Sequence, residues 1–151
     1  MPRPIKIALC QLTSPPTVKE GFLKLESTIK EITAQGGADL AIFPEYFVQG
    51  IVADAEHKIF DEGEWEEHVS GIAKEHGLDI CVGTFVERVR EKDGGEDGGG
   101  GGGVKEKKYN TAYYFNKTGE VVGKYRKRNL WHPLVASHSP HLHTHTSSHP
   151  N

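Results

Sequence analysis

Glu45 is a carboxylate that follows an apolar run of strand type, residues 40–43, and a proline. In α/β proteins, ligands bind outside the carboxyl ends of the strands, so this position suits a side chain that takes part in chemistry. The flanking Phe43, Tyr46 and Phe47 predict desolvation of the carboxyl group and a raised pKa, which suits a general base near neutral pH. A glutamate in an exposed surface loop is the alternative that position alone leaves open.

Lys127 lies in a cationic segment, residues 124–128, in which four of the five positions carry Lys or Arg. The segment spans the end of the last strand that the sequence predicts. Taken alone, such a pattern is typical of a solvated basic face or of a patch that binds phosphate.

Both cysteines, Cys10 and Cys81, lie inside predicted strands. This placement indicates buried thiols that pack as small apolar residues and have ordinary reactivity. Two cysteines are too few for a disulfide scaffold, and the N-terminal residues lack the apolar core of a signal peptide. We therefore expect a reducing, cytoplasmic location.

Six of the nine histidines lie between residues 132 and 149. His141, His143 and His145 could bind zinc, nickel or copper weakly through neutral imidazoles. No cysteine or carboxylate lies near them in the sequence. The sequence therefore predicts no physiological metal site, and it shows no motif that would bind a cofactor.

The elements that must position these side chains alternate between strand and helix, which predicts a layered α/β fold. Thr17 and Glu20 have the spacing of a capping box, and apolar residues recur every three to four positions after them. The last two predicted strands are expected to form a hairpin with its turn at residues 117–119. The predicted elements are a buried strand over 5–12, a helix from Thr17 to Gly36-Gly37, a strand over 38–43, a helix over 65–76 ended by Gly77, and strands over 79–86, 109–116 and 120–125.

The composition changes twice along the chain. Residues 91–105 are rich in glycine, with glycine at every position from 98 to 103, and they predict a flexible loop between two strands. Residues 134–151 are rich in His, Ser, Thr and Pro, which favours disorder. We therefore expect one partial domain over residues 1–133 and a low-complexity tail after it.

Three segments together resemble the nitrilase superfamily of carbon–nitrogen hydrolases. They are FPEYF at 43–47, YNTAYYF at 109–115 and GKYRKRNL at 123–130. The opening strand that ends in Gln11 and the ICVGTF strand at 80–85 are also similar to that family.

The resemblance covers about residues 5–133 and implies an αββα sandwich with a Glu-Lys-Cys triad. It implies that Glu45 is the general base and that Lys127 stabilises the tetrahedral intermediate, while Tyr109 and Asn110 support the site. The implied reaction is hydrolysis of a non-peptide carbon–nitrogen bond in a small-molecule nitrile, amide or carbamoyl compound.

The sequence departs from the family pattern at the nucleophile, because no cysteine follows Lys127. We expect an incomplete αββα sandwich. We also expect the chain, as its sequence stands, to be catalytically inactive. The alternative function is that of an inactive truncated fragment or pseudo-enzyme that acts through a partner. A half-sandwich leaves an apolar sheet face uncovered, so a homo-oligomer is also possible.

Charge and hydropathy exclude other classes of partner. The formal net charge is −3, which gives no overall basic signature for nucleic acid. No run of 18 apolar residues is present, so no membrane partner is expected.

Overall fold

The computed structural model describes residues 3–50, 59–92 and 104–128. The elements in chain order are β1 (Ile7–Leu9), α1 (Val18–Ala34), β2 (Leu40–Ile42), β3 (Phe60–Asp61), α2 (Glu66–His76), β4 (Asp79–Lys92), β5 (Val104–Phe115) and β6 (Val121–Arg126). The predicted tail over 134–151 and its histidines lie outside the described residues.

The strands form one mixed sheet in the order β1-β2-β4-β5-β6. β1, β2 and the first part of β4 run parallel, and β4, β5 and β6 run antiparallel. The short β3, which the sequence analysis missed, runs parallel to the outer part of β4. The predicted α/β class is confirmed, and the sheet carries both helices on one face.

Local signals in the sequence account for the ends of the helices. The capping box predicted at Thr17 is present, because its side chain accepts from the Glu20 amide while the Glu20 carboxylate accepts from the Thr17 amide. This reciprocal pairing satisfies amide groups that the first helical turn leaves open. α2 ends, as predicted, at Gly77, whose φ of 58° is left-handed.

The core lies between the two helices and one face of the sheet. Trp65 precedes α2 and stacks on Phe85 at a centroid distance of 3.7 Å, with the edge of Tyr113 4.6 Å away. Leu25 and Ile29 come from α1, while the sheet contributes alternate positions along β4 and β5. The buried sheet and α2 side chains of this core include Ala41, Val69, Ile72, Ala73, Ile80, Val82, Tyr113 and Phe115.

The prediction that the first strand is buried is wrong. Ile7 and Leu9 are 54% and 72% exposed. β1 is an edge strand, and its register with β2 and β4 places both side chains on the face opposite the helices. Among the described residues no further layer covers that face, which also carries Tyr125, 60% exposed.

The hairpin strands β4 and β5 are longer than predicted. β4 continues to Lys92 and β5 begins at Val104, so both strands extend into the range assigned to the glycine-rich loop. Opposite charges on the two strands stabilise the longer hairpin, since Arg88 Nε lies 3.1 Å from Glu106 Oε1. Residues 93–103 of the predicted loop lie outside the described residues.

Neither of the two described helices is long and apolar enough to cross a bilayer.

Gly83 allows the close approach of β4 to the segment that carries Glu45. A Cβ atom at this position would lie 2.3 Å from the Phe43 carbonyl oxygen. We expect Gly83→Ala to lower the free energy of unfolding by about 1–3 kcal/mol, as overpacking does. Urea-induced unfolding measures this change.

The matched control is Gly71→Ala, because a Cβ atom at this exposed position of α2 has no atom within 4 Å. It should raise the free energy of unfolding by about 0.5–1 kcal/mol, since alanine favours a helix interior over glycine. Equal stability of Gly83→Ala and the wild type would contradict the assigned packing.

Candidate active site

Glu45 lies in a turn that leaves the sheet after β2. The Phe43 amide still donates to the Cys81 carbonyl at 2.9 Å, and the turn closes when the Gly50 amide donates to the Tyr46 carbonyl at 2.7 Å. Tyr46 has a φ of 57°, a left-handed conformation that is uncommon for a bulky side chain. The Ser14 hydroxyl donates to the same carbonyl at 2.9 Å and helps to hold the strained residue in place.

The turn is anchored to the sheet by the buried residues that follow Glu45. Phe47 and Val48 enter the core. The Gln49 amide side chain donates to the Val86 carbonyl at 2.8 Å and accepts from the Val86 amide at 2.7 Å. Because this pairing is buried, its loss would leave backbone groups unsatisfied, and it keeps the turn in register with β4.

Three donors converge on one oxygen of Glu45. Oε1 accepts from Lys127 Nζ at 2.7 Å, from Asn110 Nδ2 at 3.1 Å and from Thr84 Oγ1 at 3.4 Å. Oε2 has no hydrogen-bond partner in the described part of the chain. The carboxylate is therefore held through one oxygen while the other remains able to accept a proton.

Asn110 connects the two charged residues. It is 2% exposed on β5, and its Nδ2 also donates to the Tyr46 hydroxyl at 3.2 Å. Its backbone carbonyl accepts from the Lys127 amide at 2.8 Å. One buried residue thus contacts both the Glu45 side chain and the backbone of Lys127.

Lys127 follows β6 directly and crosses to Glu45 from the antiparallel part of the sheet. Contact with the carboxylate raises the pKa of the Lys127 ammonium, chiefly through the hydrogen bond. The ammonium group is therefore charged throughout the neutral range.

The predicted rise in the pKa of Glu45 is wrong. The hydrogen bond from Lys127 is the largest influence and lowers the pKa of the carboxyl below its ordinary value, with a further lowering from Asn110. Burial acts in the opposite direction but is weaker, since 44% of the Glu45 side chain remains exposed. The aromatic neighbours Phe43 and Phe47 pack into the core and stack on each other instead of enclosing the carboxylate.

A cavity of about 380 Å³ opens at the pair and is large enough for a small molecule. Its lining consists of Glu45, Gly83, Thr84, Tyr125 and Lys127. An ionised carboxylate and an ammonium group therefore face one space, which suits proton transfer beside a developing negative charge.

Thr84, Gly83 and Tyr125 are site residues that the sequence analysis did not single out. Thr84 reaches Glu45 at an irregularity of the β4–β5 register between Val82 and Phe85. Such irregularities redirect side chains near functional sites, but no residue type in the sequence marks this one.

Cys10 and Cys81 are half-buried, and burial raises the pKa of both thiols. Neither thiol lines the cavity or hydrogen-bonds to Glu45. A raised pKa lowers the thiolate fraction at neutral pH, so neither cysteine has the properties of an activated nucleophile.

Within residues 3–50, 59–92 and 104–128, no group of three His, Cys, Asp or Glu side chains could hold a metal ion.

Comparison with known proteins gives a family match over nearly the whole sequence. The model of the family described as carbon-nitrogen hydrolase matches residues 6–149. A deaminated glutathione amidase from Mus musculus is 31% identical over 137 residues, which are 89% of this chain and 39% of that protein. A formamidase from Bacillus cereus (strain Q1) is 31% identical over 148 residues, 89% of this chain and 40% of the relative.

Solved structures show the same fold. A crystal structure of an N-terminal amidase aligns with a TM-score of 0.63 at 20% identity, over 87% of this chain and 29% of that one. An amidase from Nesterenkonia sp. AN1 aligns with a TM-score of 0.61 at 19% identity, over 91% of this chain and 50% of that one. The chain thus spans about two fifths of the curated relatives and no more than half of these structures.

Removal of the ammonium group tests the electrostatics of the pair. We expect Lys127→Met to raise the pKa of Glu45, because it removes the largest lowering influence and leaves burial in place. Side-chain carboxyl shifts in a ¹³C NMR titration measure this pKa. Lys117→Met, which removes an exposed cation from the β5–β6 turn, should leave the Glu45 titration unchanged.

The same pKa shifts set the pH window in which the pair stabilises the folded chain. The pKa of Glu45 lies below 4.5 in the folded chain and that of Lys127 above 10.5. The contribution is therefore complete between these values and is lost as the pH falls through the folded pKa of Glu45 or rises through that of Lys127. It is small, because both side chains are about a third or more exposed.

Identical Glu45 titrations in Lys127→Met and the wild type would contradict the assigned contact.

Proposed function

Because the chain belongs to the carbon–nitrogen hydrolase family, we propose that Glu45 and Lys127 are the general base and the charge-stabilising group of a site that hydrolyses small amides. The observation that carries this proposal is the 2.7 Å hydrogen bond between Lys127 Nζ and Glu45 Oε1 at the wall of an open cavity. The two residues are 82 positions apart, so their contact depends on the whole sheet.

Glu45 acts as the proton acceptor. Its lowered pKa keeps the carboxylate ionised at neutral pH, and its Oε2 is the oxygen left without a partner among the described residues. It takes the proton of the attacking nucleophile and passes it to the departing nitrogen, which leaves as ammonia. It then takes a proton from water, which attacks the covalent acyl intermediate and releases the carboxylic acid.

Lys127 stabilises the oxygen that becomes negative during attack. An ammonium group has three N–H donors, and one of them is used on Glu45. The remaining donors are available to the carbonyl oxygen in the cavity. Because the Lys127 backbone is bonded to the buried Asn110, the charge is oriented before the reaction begins.

The proposed nucleophile is a cysteine outside the 151 residues of this sequence. The triad that the resemblance implies includes a cysteine, and in one solved structure of the Nesterenkonia sp. AN1 amidase acrylamide is added to the active-site cysteine. Attack of that thiol on the amide carbon would form the covalent thioester that Glu45 and water then resolve.

Amides are favoured over nitriles as the substrate. Deaminated glutathione amidase and formamidase are both named for amide hydrolysis. We also propose a cytoplasmic location, where the free thiols of Cys10 and Cys81 would remain reduced.

The experiment begins with the protein from its native source, whose intact mass is compared with 16.7 kDa. A larger protein should release ammonia from small amides. Glu45→Gln and Lys127→Met should each reduce that rate by about 100-fold or more, as the loss of a proton-transfer or charge-stabilising group does. The 151-residue chain by itself should release no more ammonia than its Glu45→Ala variant.

The controls are Glu120→Gln and Lys117→Met, which remove the same charges at exposed positions of the β5–β6 turn. They should retain wild-type rates. Full activity in Glu45→Gln or Lys127→Met would refute the proposed roles of these residues. Ammonia release by the 151-residue chain above its Glu45→Ala variant would refute the proposed nucleophile outside this sequence.

A second candidate function is binding of a partner without catalysis, and the exposed Ile7, Leu9 and Tyr125 favour it. A native mass of 16.7 kDa together with self-association that Leu9→Lys abolishes would support this function over hydrolysis. A monodisperse monomer of that mass would count against it.

A further inference from the structure

Tyr46 combines a strained backbone with a side chain that contacts the candidate site. Among the residues that the structure describes, it is the one non-glycine residue with a left-handed backbone, at a φ of 57°. It lies between Glu45, which lines the cavity, and the fully buried Phe47. A bulky residue keeps this conformation only where its surroundings enforce it, and such strain clusters at functional sites.

Two hydrogen bonds hold the Tyr46 backbone in that conformation. Its carbonyl oxygen accepts from the Ser14 hydroxyl at 2.9 Å and from the Gly50 amide at 2.7 Å. Ser14 precedes α1 and Gly50 closes the turn, so the carbonyl is held from both sides of the residue in the sequence. The direction of the Tyr46 side chain follows from that of its backbone.

The Tyr46 hydroxyl is connected to the Glu45 carboxylate through Asn110. The Asn110 amide has two N–H groups, and Nδ2 donates to Glu45 Oε1 at 3.1 Å and to Tyr46 Oη at 3.2 Å. Asn110 Oδ1 is buried and has no hydrogen-bond partner in the described part of the chain. The two N–H bonds therefore set the orientation of this amide, and the bond to Tyr46 determines where the other one points.

Asn110 is the donor best able to fix the Glu45 carboxylate. It is 2% exposed, whereas the Lys127 side chain is 34% exposed and has a flexible stem. The contact from Thr84 is the longest of the three, at 3.4 Å. Because an exposed lysine can move with the carboxylate that it contacts, the direction of the carboxylate depends on the buried amide.

The Tyr46 hydroxyl accepts its hydrogen bond without adding charge to the site. Burial raises the pKa of Tyr46, and the negative charge of Glu45 raises it further. The hydroxyl is therefore neutral at neutral pH. Tyr46 does not line the Glu45 cavity, so its effect on a reaction there passes through Asn110 and Glu45.

We propose that Tyr46 is a positioning residue, whose strained backbone and hydroxyl orient the Asn110 amide and thereby direct the Glu45 carboxylate toward the cavity. The purpose of this orientation rests on the proposed function, in which Glu45 is the proton acceptor. The orientation itself can be measured without turnover.

The first test removes the hydroxyl and keeps the ring. In the 151-residue chain, Tyr46→Phe should raise the pKa of Glu45, because the hydrogen bond from Asn110 that lowers this pKa loses its fixed direction. Side-chain carboxyl shifts in a ¹³C NMR titration measure the change. A wild-type Glu45 titration in Tyr46→Phe, or a pKa shifted downward, would overturn the proposal.

The matched control is Tyr114→Phe. Tyr114 lies on the same strand as Asn110 and donates its hydroxyl to Asp79 at 2.8 Å, so this variant also removes a hydrogen bond between a tyrosine and a polar side chain. It should leave the Glu45 titration unchanged. Equal shifts of the Glu45 pKa in both variants would mean a general loosening of the sheet and would overturn the proposal.

The second test measures the backbone strain. Tyr46→Gly and Tyr46→Ala both remove the ring, but only glycine adopts a left-handed backbone without steric cost. The glycine variant should therefore have an equilibrium constant for folding about fivefold larger than that of the alanine variant, as urea-induced unfolding measures. An alanine variant that is equally or more stable would show an unstrained residue and overturn the proposal.

Kinetics of the native protein separate this inference from the proposed function. With small amides, Tyr46→Phe should lower kcat about tenfold and leave KM within about twofold, because a misdirected base affects the transition state more than substrate binding. An unchanged kcat would overturn the positioning role. A raised Glu45 pKa in Tyr46→Phe, together with a native protein that hydrolyses no amide, would keep the orientation by Tyr46 and refute the proposed function.

Discussion

The hydrogen-bonded ion pair between Lys127 and Glu45 is the contact that defines the candidate site. It joins the end of a parallel strand to the end of the last antiparallel strand described. Because surface ion pairs contribute little to stability, the fold does not depend on this pair. The pair instead depends on the fold, since it forms only where β2, β4, β5 and β6 occupy adjacent positions in one sheet.

Buried neutral groups give the pair its geometry. Asn110 contacts Glu45 through its side chain and Lys127 through its backbone. Gln49 fixes the turn that carries Glu45, while Gly83 lets β4 approach that turn. Since these groups are held by packing, the charged atoms face the cavity without losing contact with solvent. This arrangement explains a carboxylate that is both ionised and accessible.

Local patterns predicted the elements of the fold but not the electrostatics of the site. The capping box at Thr17, the stop at Gly77 and the hairpin at 117–119 depend on neighbouring residues, so the sequence shows them directly. The pKa of Glu45 depends on a lysine 82 residues away. The aromatic neighbours in the sequence suggested burial of the carboxylate, whereas in the fold Phe43 and Phe47 enter the core and leave the carboxylate beside a cation.

The exposure of the first strand likewise depends on what packs against it and not on its own residues. An apolar run of strand type predicts burial on both faces, but the face on which Ile7 and Leu9 lie has no covering layer in the described part of the chain. The resemblance to carbon–nitrogen hydrolases implied a sandwich, and the open face is the one that a second sheet would cover. Sequence thus predicted the architecture better than the exposure of individual residues.

We propose that Glu45 and Lys127 act as one catalytic unit. The most direct test is the rate of ammonia release by the native protein and its Glu45→Gln, Lys127→Met and doubly substituted variants. Residues that act as a unit are not additive, so the double variant should be no slower than the slower single variant. Losses that multiply in the double variant would show independent roles and contradict the joint action of Glu45 and Lys127.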